Sequence, residues 1–73
     1  MATFVLGDVI KDVKSKDERV GVVVSKQFFP DFEDPWYTID IIQTKTNNMA
    51  YRTIKVYGAN DWVLCHKKEE FNK

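Results

Sequence analysis

The fold is decided by the stretch Arg19-Val20-Gly21-Val22-Val23-Val24-Ser25-Lys26, the most strand-prone part of the sequence. Side chains alternate along it with a period of two, which is typical of a half-buried β-strand and predicts that Val20, Val22 and Val24 face the core. A glycine inside a strand usually marks a bulge or a sharp bend, and we expect one at Gly21. The stretch therefore predicts a central strand of an all-β protein.

Shorter runs of β-branched and aromatic residues flank this strand and are separated by turn residues. They predict four more strands, at residues 9–13, 36–43, 51–56 and 62–66. The segment 57–61 predicts a tight turn, interpreted as a single 3₁₀ turn before the last strand. Five short strands with helix confined to one turn predict a small five-stranded barrel. The residues predicted to face inward and be buried are Val9, Val20, Val22, Val24, Ile39, Ile41, Ile54, Val63 and Leu64.

The composition fits one small folded domain. The chain has 73 residues, of which 44% are hydrophobic and 30% charged, as in an ordinary globular protein without room for a second core. We expect a single domain over residues 1–66 and a charged, fraying tail over residues 67–73. No apolar run has the length of a membrane span, and the start of the chain lacks a signal-peptide pattern. We therefore expect a cytoplasmic protein without membrane contact.

Charge and residue content exclude several classes of chemistry. Eleven basic and eleven acidic side chains give no net charge, which excludes a strongly basic nucleic-acid coat protein. The single cysteine, Cys65, excludes an internal disulfide and a cysteine-based zinc site, and we expect it to be a buried small hydrophobe. The single histidine, His66, is its neighbour in a strand, so the two side chains point to opposite faces and form no catalytic pair.

A metal site is not predicted either. Asp31, Glu33 and Asp34 are spaced like part of a calcium-binding loop, but the glycine and the distal glutamate of such a loop are missing. The sequence therefore predicts no catalytic residue, no metal and no cofactor.

Three short motifs carry a family resemblance. They are Gly7-Asp8-Val9-Ile10 in the first strand, Gly21-Val22-Val23-Val24 in the second and Asn60-Asp61-Trp62-Val63-Leu64 at the end. In this order they resemble the SH3-like barrels, the group that contains KOW and Tudor modules. The segment Asp34-Pro35-Trp36-Tyr37 is similar to that of stand-alone barrels encoded by tailed bacteriophages. The resemblance implies an SH3-like barrel and a phage accessory protein that acts in the host cytoplasm. The basic first loop of KOW domains and the peptide-groove signature of signalling SH3 domains are missing.

The segment 28–37 is the strongest candidate for a contact surface, because it holds five aromatic and three acidic residues. Two prolines keep it out of a central strand. We expect Phe28 and Tyr37 to enter the core and at least two of Phe29, Phe32 and Trp36 to be exposed. Exposed rings among acids fit a protein partner with a basic rim. In the competing interpretation, the loop is a lid over the barrel end. The predicted protein-binding residues are Phe29, Asp31, Phe32, Glu33, Asp34 and Trp36.

Two other binding functions compete with this one. Residues 1–42 carry five basic and eight acidic side chains, and residues 43–73 carry six and three. The basic half suggests a KOW- or Tudor-like module that binds nucleic acid or a ribonucleoprotein weakly, with cations on phosphates and a tyrosine on bases. Its residues are Lys45, Tyr51, Arg52 and Lys55. The third interpretation is an aromatic cage for a methylated cation, formed by Trp36, Tyr37, Tyr57 and Trp62 with Asp34. Neither the partner's identity nor the oligomeric state is encoded in a recognisable motif.

Overall fold

The computed structural model describes residues 3–46 and 52–66, and these form one five-stranded antiparallel sheet. Tyr51 and the tail 67–73 lie outside the described residues. The described part of the chain contains no helix, and so none long and apolar enough to cross a membrane. The strands are β1 (Val9–Asp12), β2 (Val20–Gln27), β3 (Trp36–Gln43), β4 (Thr53–Tyr57) and β5 (Trp62–His66).

The strand order is β4-β3-β2-β1-β5. Strands β1 to β4 therefore form a meander, and β5 returns to pair with β1 in the antiparallel direction. The prediction of an all-β protein is confirmed. The predicted closure into a barrel is not, because β4 and β5 are the two edges of the sheet and are not paired with each other.

The predicted strands agree with the observed ones to within two residues at each described end, and the predicted tight turn before β5 is present, although it is not part of a 3₁₀ helix. Gly58 and Ala59, which lead into the turn, adopt left-handed φ values of 71° and 52°. Within the turn, the Trp62 N–H donates to the Ala59 carbonyl at 3.1 Å, a single hydrogen bond with the i→i+3 spacing of one 3₁₀ turn. Ala59 is buried there, so the turn fixes the entry of β5 into the sheet.

The inward face of β2 is the opposite of the one predicted. Val23 is 1% exposed and Val24 is 45% exposed, so the inward positions before Val24 are those of Gly21 and Val23. The physical reason is the close approach of β3. A Cβ atom at Gly21 would clash with Cγ2 of Ile39 and would lie 2.8 Å from the backbone oxygen of Asp40. Only glycine leaves the room that Ile39 occupies.

Two register shifts accompany this packing. The first lies between Val20 and Gly21 in the pairing of β2 with β3, and it confirms the irregularity predicted at Gly21. The second lies between Val23 and Ser25, so that Val24 has no opposing residue. Since a bulge changes which face a side chain takes, simple alternation could not be continued through Val24.

The core lies on one face of the sheet. Of the nine residues predicted to be buried, Val9, Ile39 and Ile41 are buried, and Val20, Val22 and Ile54 are half-buried. The prediction is wrong for Val24, Val63 and Leu64, which are exposed. The last two lie on β5, an edge strand with a neighbour on only one side. Cys65 is exposed on the same strand, against the expectation that it would be buried. The buried cluster consists of Phe4, Ile10, Val23, Tyr37, Ile39, Ile41, Ala59 and Trp62.

The segment before β1 covers one end of this core. Phe4 packs edge-to-face on Tyr37, with ring centroids 5.7 Å apart, and its N–H donates to the Tyr37 hydroxyl at 3.1 Å. The Lys26 ammonium donates to the Phe4 carbonyl at 3.0 Å. Tyr37 is fully buried, as predicted. A buried tyrosine hydroxyl requires a hydrogen-bond partner, and Phe4 supplies it.

Asp12 is a buried carboxylate at the opposite end of β1. It accepts hydrogen bonds from Arg19 at 2.7 Å and from the backbone N–H groups of Lys14 and Ser15 at 3.1 Å each. The Arg19 guanidinium also lies 5.6 Å from the ring centroid of Trp62. Burial alone raises the pKa of Asp12, but the hydrogen bonds from Arg19 and the two backbone groups outweigh it, and the pKa is lowered.

Two adjacent valines on β2 give a matched test of which face of the strand is buried. Val23→Ala should lower the free energy of unfolding by about 2 kcal/mol, because it removes buried methyl groups and leaves a cavity. Val24→Ala should change it by no more than about 0.5 kcal/mol, because that side chain is exposed. Urea unfolding measures both. An equal or larger loss for Val24→Ala would contradict the observed face assignment.

The Asp12 hydrogen bonds predict an acid-sensitive contribution to stability. Asp12→Asn should cost about 2 kcal/mol at pH 7, since it removes charge-assisted hydrogen bonds. Because the folded pKa is lowered, this contribution is complete above the ordinary value of 3.8 and is lost as the pH falls through the folded value. The gap between parent and variant in urea unfolding should therefore narrow below about pH 4. A gap that stays constant to pH 2 would refute this account, and Asp31→Asn, at an exposed position, is the control.

Candidate functional site

The outer face of the sheet carries a cross-strand pair of aromatic residues. Tyr37 on β3 and Val56 on β4 are opposite each other and point toward the core, and their neighbours Trp36 and Tyr57 are paired one position away. Since successive strand residues point to opposite faces, Trp36 and Tyr57 lie on the outer face. Their ring centroids are 5.4 Å apart.

The loop between β2 and β3 places two more rings beside this pair. Residues 29–32 form a turn in which the Phe32 N–H donates to the Phe29 carbonyl at 3.1 Å, and Pro30 occupies the position where proline is favoured. Phe32 lies 5.8 Å from Trp36, 5.3 Å from Tyr57 and 6.4 Å from Phe29, measured between ring centroids. We call Phe29, Phe32, Trp36 and Tyr57 the aromatic cluster.

The second half of the loop is fixed to the turn that precedes β5. The Asp34 N–H donates to the Tyr57 hydroxyl at 3.2 Å, and the Gly58 N–H donates to the Pro35 carbonyl at 2.9 Å. Pro35 itself is buried. The loop is therefore held at both ends and through its rings, although it contains no strand.

A groove of about 260 Å³ runs along the aromatic cluster. Its lining is mainly apolar and comes from β2, the loop, β3 and β4: Gln27, Phe29, Phe32, Trp36 and Lys55.

The exposure of the loop rings agrees with the sequence-based expectation in part. Phe29 and Phe32 are 43% and 47% exposed, and Trp36 is half-buried, so the predicted exposure of at least two of these rings is confirmed. The prediction that Phe28 enters the core is wrong, because it is 71% exposed. Phe28 follows the last residue of β2 and lies 5.5 Å from the Lys26 ammonium, outside the aromatic cluster.

The three loop acids differ in their surroundings. Asp31 and Glu33 are exposed, whereas Asp34 is half-buried, with its carboxylate directed toward Gly58. Within the described ranges none of the three is ion-paired. Asp31 and Glu33 therefore supply negative charge on the loop that carries Phe29 and Phe32, whereas Asp34 helps to position the loop through its backbone N–H.

The cations of the nucleic-acid interpretation do not form one patch. Lys45 pairs with Glu18 at 3.5 Å in the neighbouring turn. Lys55 faces Thr38 on the outer face and lines the groove. Arg52 is exposed and lies just before β4, two residues before Ile54. Its position therefore corresponds to the inward face of the sheet, on which Ile54 lies. Tyr51 lies outside the described residues, so its predicted stacking role stays a prediction.

The aromatic cage is not formed. Tyr37 and Trp62 are buried in the core, whereas Trp36 and Tyr57 lie on the outer face. The four rings therefore do not converge on one pocket. Within residues 3–46 and 52–66, no three His, Cys, Asp or Glu side chains gather closely enough to hold a metal ion.

Comparison of the chain with protein-family models, with curated proteins and with solved structures yields no match. The functional interpretation therefore depends on the geometry of the groove.

The sequence pattern suggested Tyr57 only as part of the aromatic cage, which is not formed, and gave no sign that Gln27 lines the groove. Both are opposite Trp36, Gln27 on β2 and Tyr57 on β4. The sequence pattern placed the strands but not their register, and the register is the signal that would have joined these residues to the loop.

Proposed function

We propose that the protein is a non-enzymatic binding module that docks on another protein through the aromatic cluster. One observation carries the proposal: the rings of Phe29 and Phe32 are held in place by contacts and are nonetheless exposed. They lie on the face opposite the core, so the core does not require them there. Large aromatic side chains of this kind are enriched at protein interfaces and dominate their binding energy.

The fixed conformation of the loop favours tight binding. Association costs free energy for every side chain that has to be ordered. Here the turn at residues 29–32, the Tyr57 hydroxyl and the Pro35 carbonyl have already ordered the loop. A partner therefore gains the contact area of the rings without paying for their immobilisation.

The family resemblance completes the proposal. We infer that the sheet belongs to the SH3-like group, in which the last strand returns to the first after a tight turn, and the strand order and the turn at 58–61 support this. The Asp34-Pro35-Trp36-Tyr37 segment supports a phage accessory protein, with a host or virion protein as its partner in the host cytoplasm.

A protein partner is favoured over nucleic acid. Lys45 is already paired with Glu18, and the net charge of the chain is zero. The exposed acids Asp31 and Glu33 adjoin Phe32 in the chain, and they would repel the phosphates of a nucleic acid whose bases stacked on the aromatic cluster. Any nucleic-acid binding is therefore expected to be weak, with a Kd of roughly 10⁻⁵ M or above at physiological salt.

Phe32→Ala tests the proposal, with Phe28→Ala as its matched control. Both changes remove an exposed loop phenylalanine, but only Phe32 belongs to the aromatic cluster. Phe32→Ala should cost about 1 kcal/mol of stability through lost ring contacts and about 2 kcal/mol or more of binding energy. Phe28→Ala should leave both nearly unchanged. The measurement is quantitative capture from bacterial lysate with mass spectrometry, followed by titration of each captured protein.

Two results would contradict the proposal. One is a captured partner that binds Phe32→Ala and the parent equally well. The other is a sub-micromolar complex with a single-stranded RNA or DNA oligonucleotide at 150 mM salt that is lost on charge reversal of Lys45, Arg52 and Lys55.

A further inference from the structure

The groove is mainly apolar with one cation in its lining, and the loop beside it carries two acids. Lys55 lines it on the sheet side. On the loop side, Asp31 lies between the groove residues Phe29 and Phe32, and Glu33 follows Phe32. Within the described ranges, Lys55 has no carboxylate in ion-pair distance, and neither acid has a cation. Lys55 is therefore available to a molecule that occupies the groove, and the two acids are available to a molecule that extends over the loop.

We propose, on the basis of the function proposed above, that the groove accepts one apolar side chain of an extended protein segment whose adjacent carboxylate pairs with Lys55. A basic residue on the other side of the same anchor faces Asp31 and Glu33. The partner's chemistry is thus a carboxylate, an apolar anchor and a cation, in that spatial order from the sheet to the loop.

The size of the groove fits a single side chain. Its volume of about 260 Å³ is below the range of roughly 300–1,000 Å³ that is usual for small-molecule sites. The groove is bordered by Phe29, Phe32 and Trp36, whose rings can pack against an aromatic or aliphatic side chain.

The preference for a carboxylate follows from charge complementarity. Lys55 is exposed and lines the groove, with no carboxylate in ion-pair distance within the described ranges. A segment that brings an acidic residue next to its anchor gains an ion pair with the Lys55 ammonium, whereas a basic residue there is repelled. Lys55 therefore selects among apolar segments.

Asp31 and Glu33 are also exposed, but they belong to the loop that carries Phe29 and Phe32 and do not line the groove. Rim charges accelerate encounter and fix orientation more than they increase affinity. The partner's cation is therefore expected to set the direction in which the segment lies across the groove.

A random 12-residue peptide library displayed on phage is the probe. Peptides that bind the immobilised parent are selected, and their enrichment on the parent is compared with that on Phe32→Ala and on Phe28→Ala. The enriched peptides are then synthesised and titrated. We expect peptides that bind the parent and Phe28→Ala but not Phe32→Ala, with an apolar residue beside an Asp or Glu. Their affinity should fall about tenfold on Lys55→Glu. Lys45→Glu, at an exposed cation away from the groove, should leave it unchanged.

A charge exchange completes the test. Replacing the peptide's acidic residue by Lys should weaken binding to the parent and restore it on Lys55→Glu. Peptides that depend on Phe32 but are indifferent to Lys55→Glu would overturn this inference and leave the proposed function standing. A selection that yields no Phe32-dependent peptide would overturn both.

Discussion

The contact between Gly21 and Ile39 is the constraint on which the structure depends. Ile39 fills the space where any other residue at position 21 would place its Cβ atom. This contact fixes which face of β2, the central strand of the sheet, meets which face of its neighbour β3. Because side chains alternate with a period of two, it also directs Val23 and Tyr37 inward.

The same assignment of inward and outward faces determines where the candidate site lies. With Tyr37 inside, its neighbour Trp36 is outside and meets Tyr57 across the strands. Phe32 can then pack on both rings without entering the core. The packing of Gly21 against Ile39 thus determines which residues form the core and which remain exposed on the outer face.

Much of this could be predicted from the sequence, and the failures share a cause. Turn residues and β-branched runs placed all five strands, and the prolines placed the loop that exposes Phe29 and Phe32. The predicted inward face of β2 was wrong because valines occur on both faces of the strand, so periodicity alone does not show which face is buried. The contact that decides between them lies on a different strand. The exposure of Val63 and Leu64 and the pairing of Trp36 with Tyr57 likewise depend on strand order and register.

The free energy of unfolding of Gly21→Ala tests this account most directly, because the expected sign is unusual. In an ordinary strand, alanine is more favourable than glycine by about 0.5–1 kcal/mol. Here the new methyl group meets Ile39 and the Asp40 backbone, and overpacking of this kind costs about 2–3 kcal/mol. The account predicts that urea unfolding of Gly21→Ala shows such a loss, or that the variant does not fold. A variant as stable as the parent, or more stable, would contradict it.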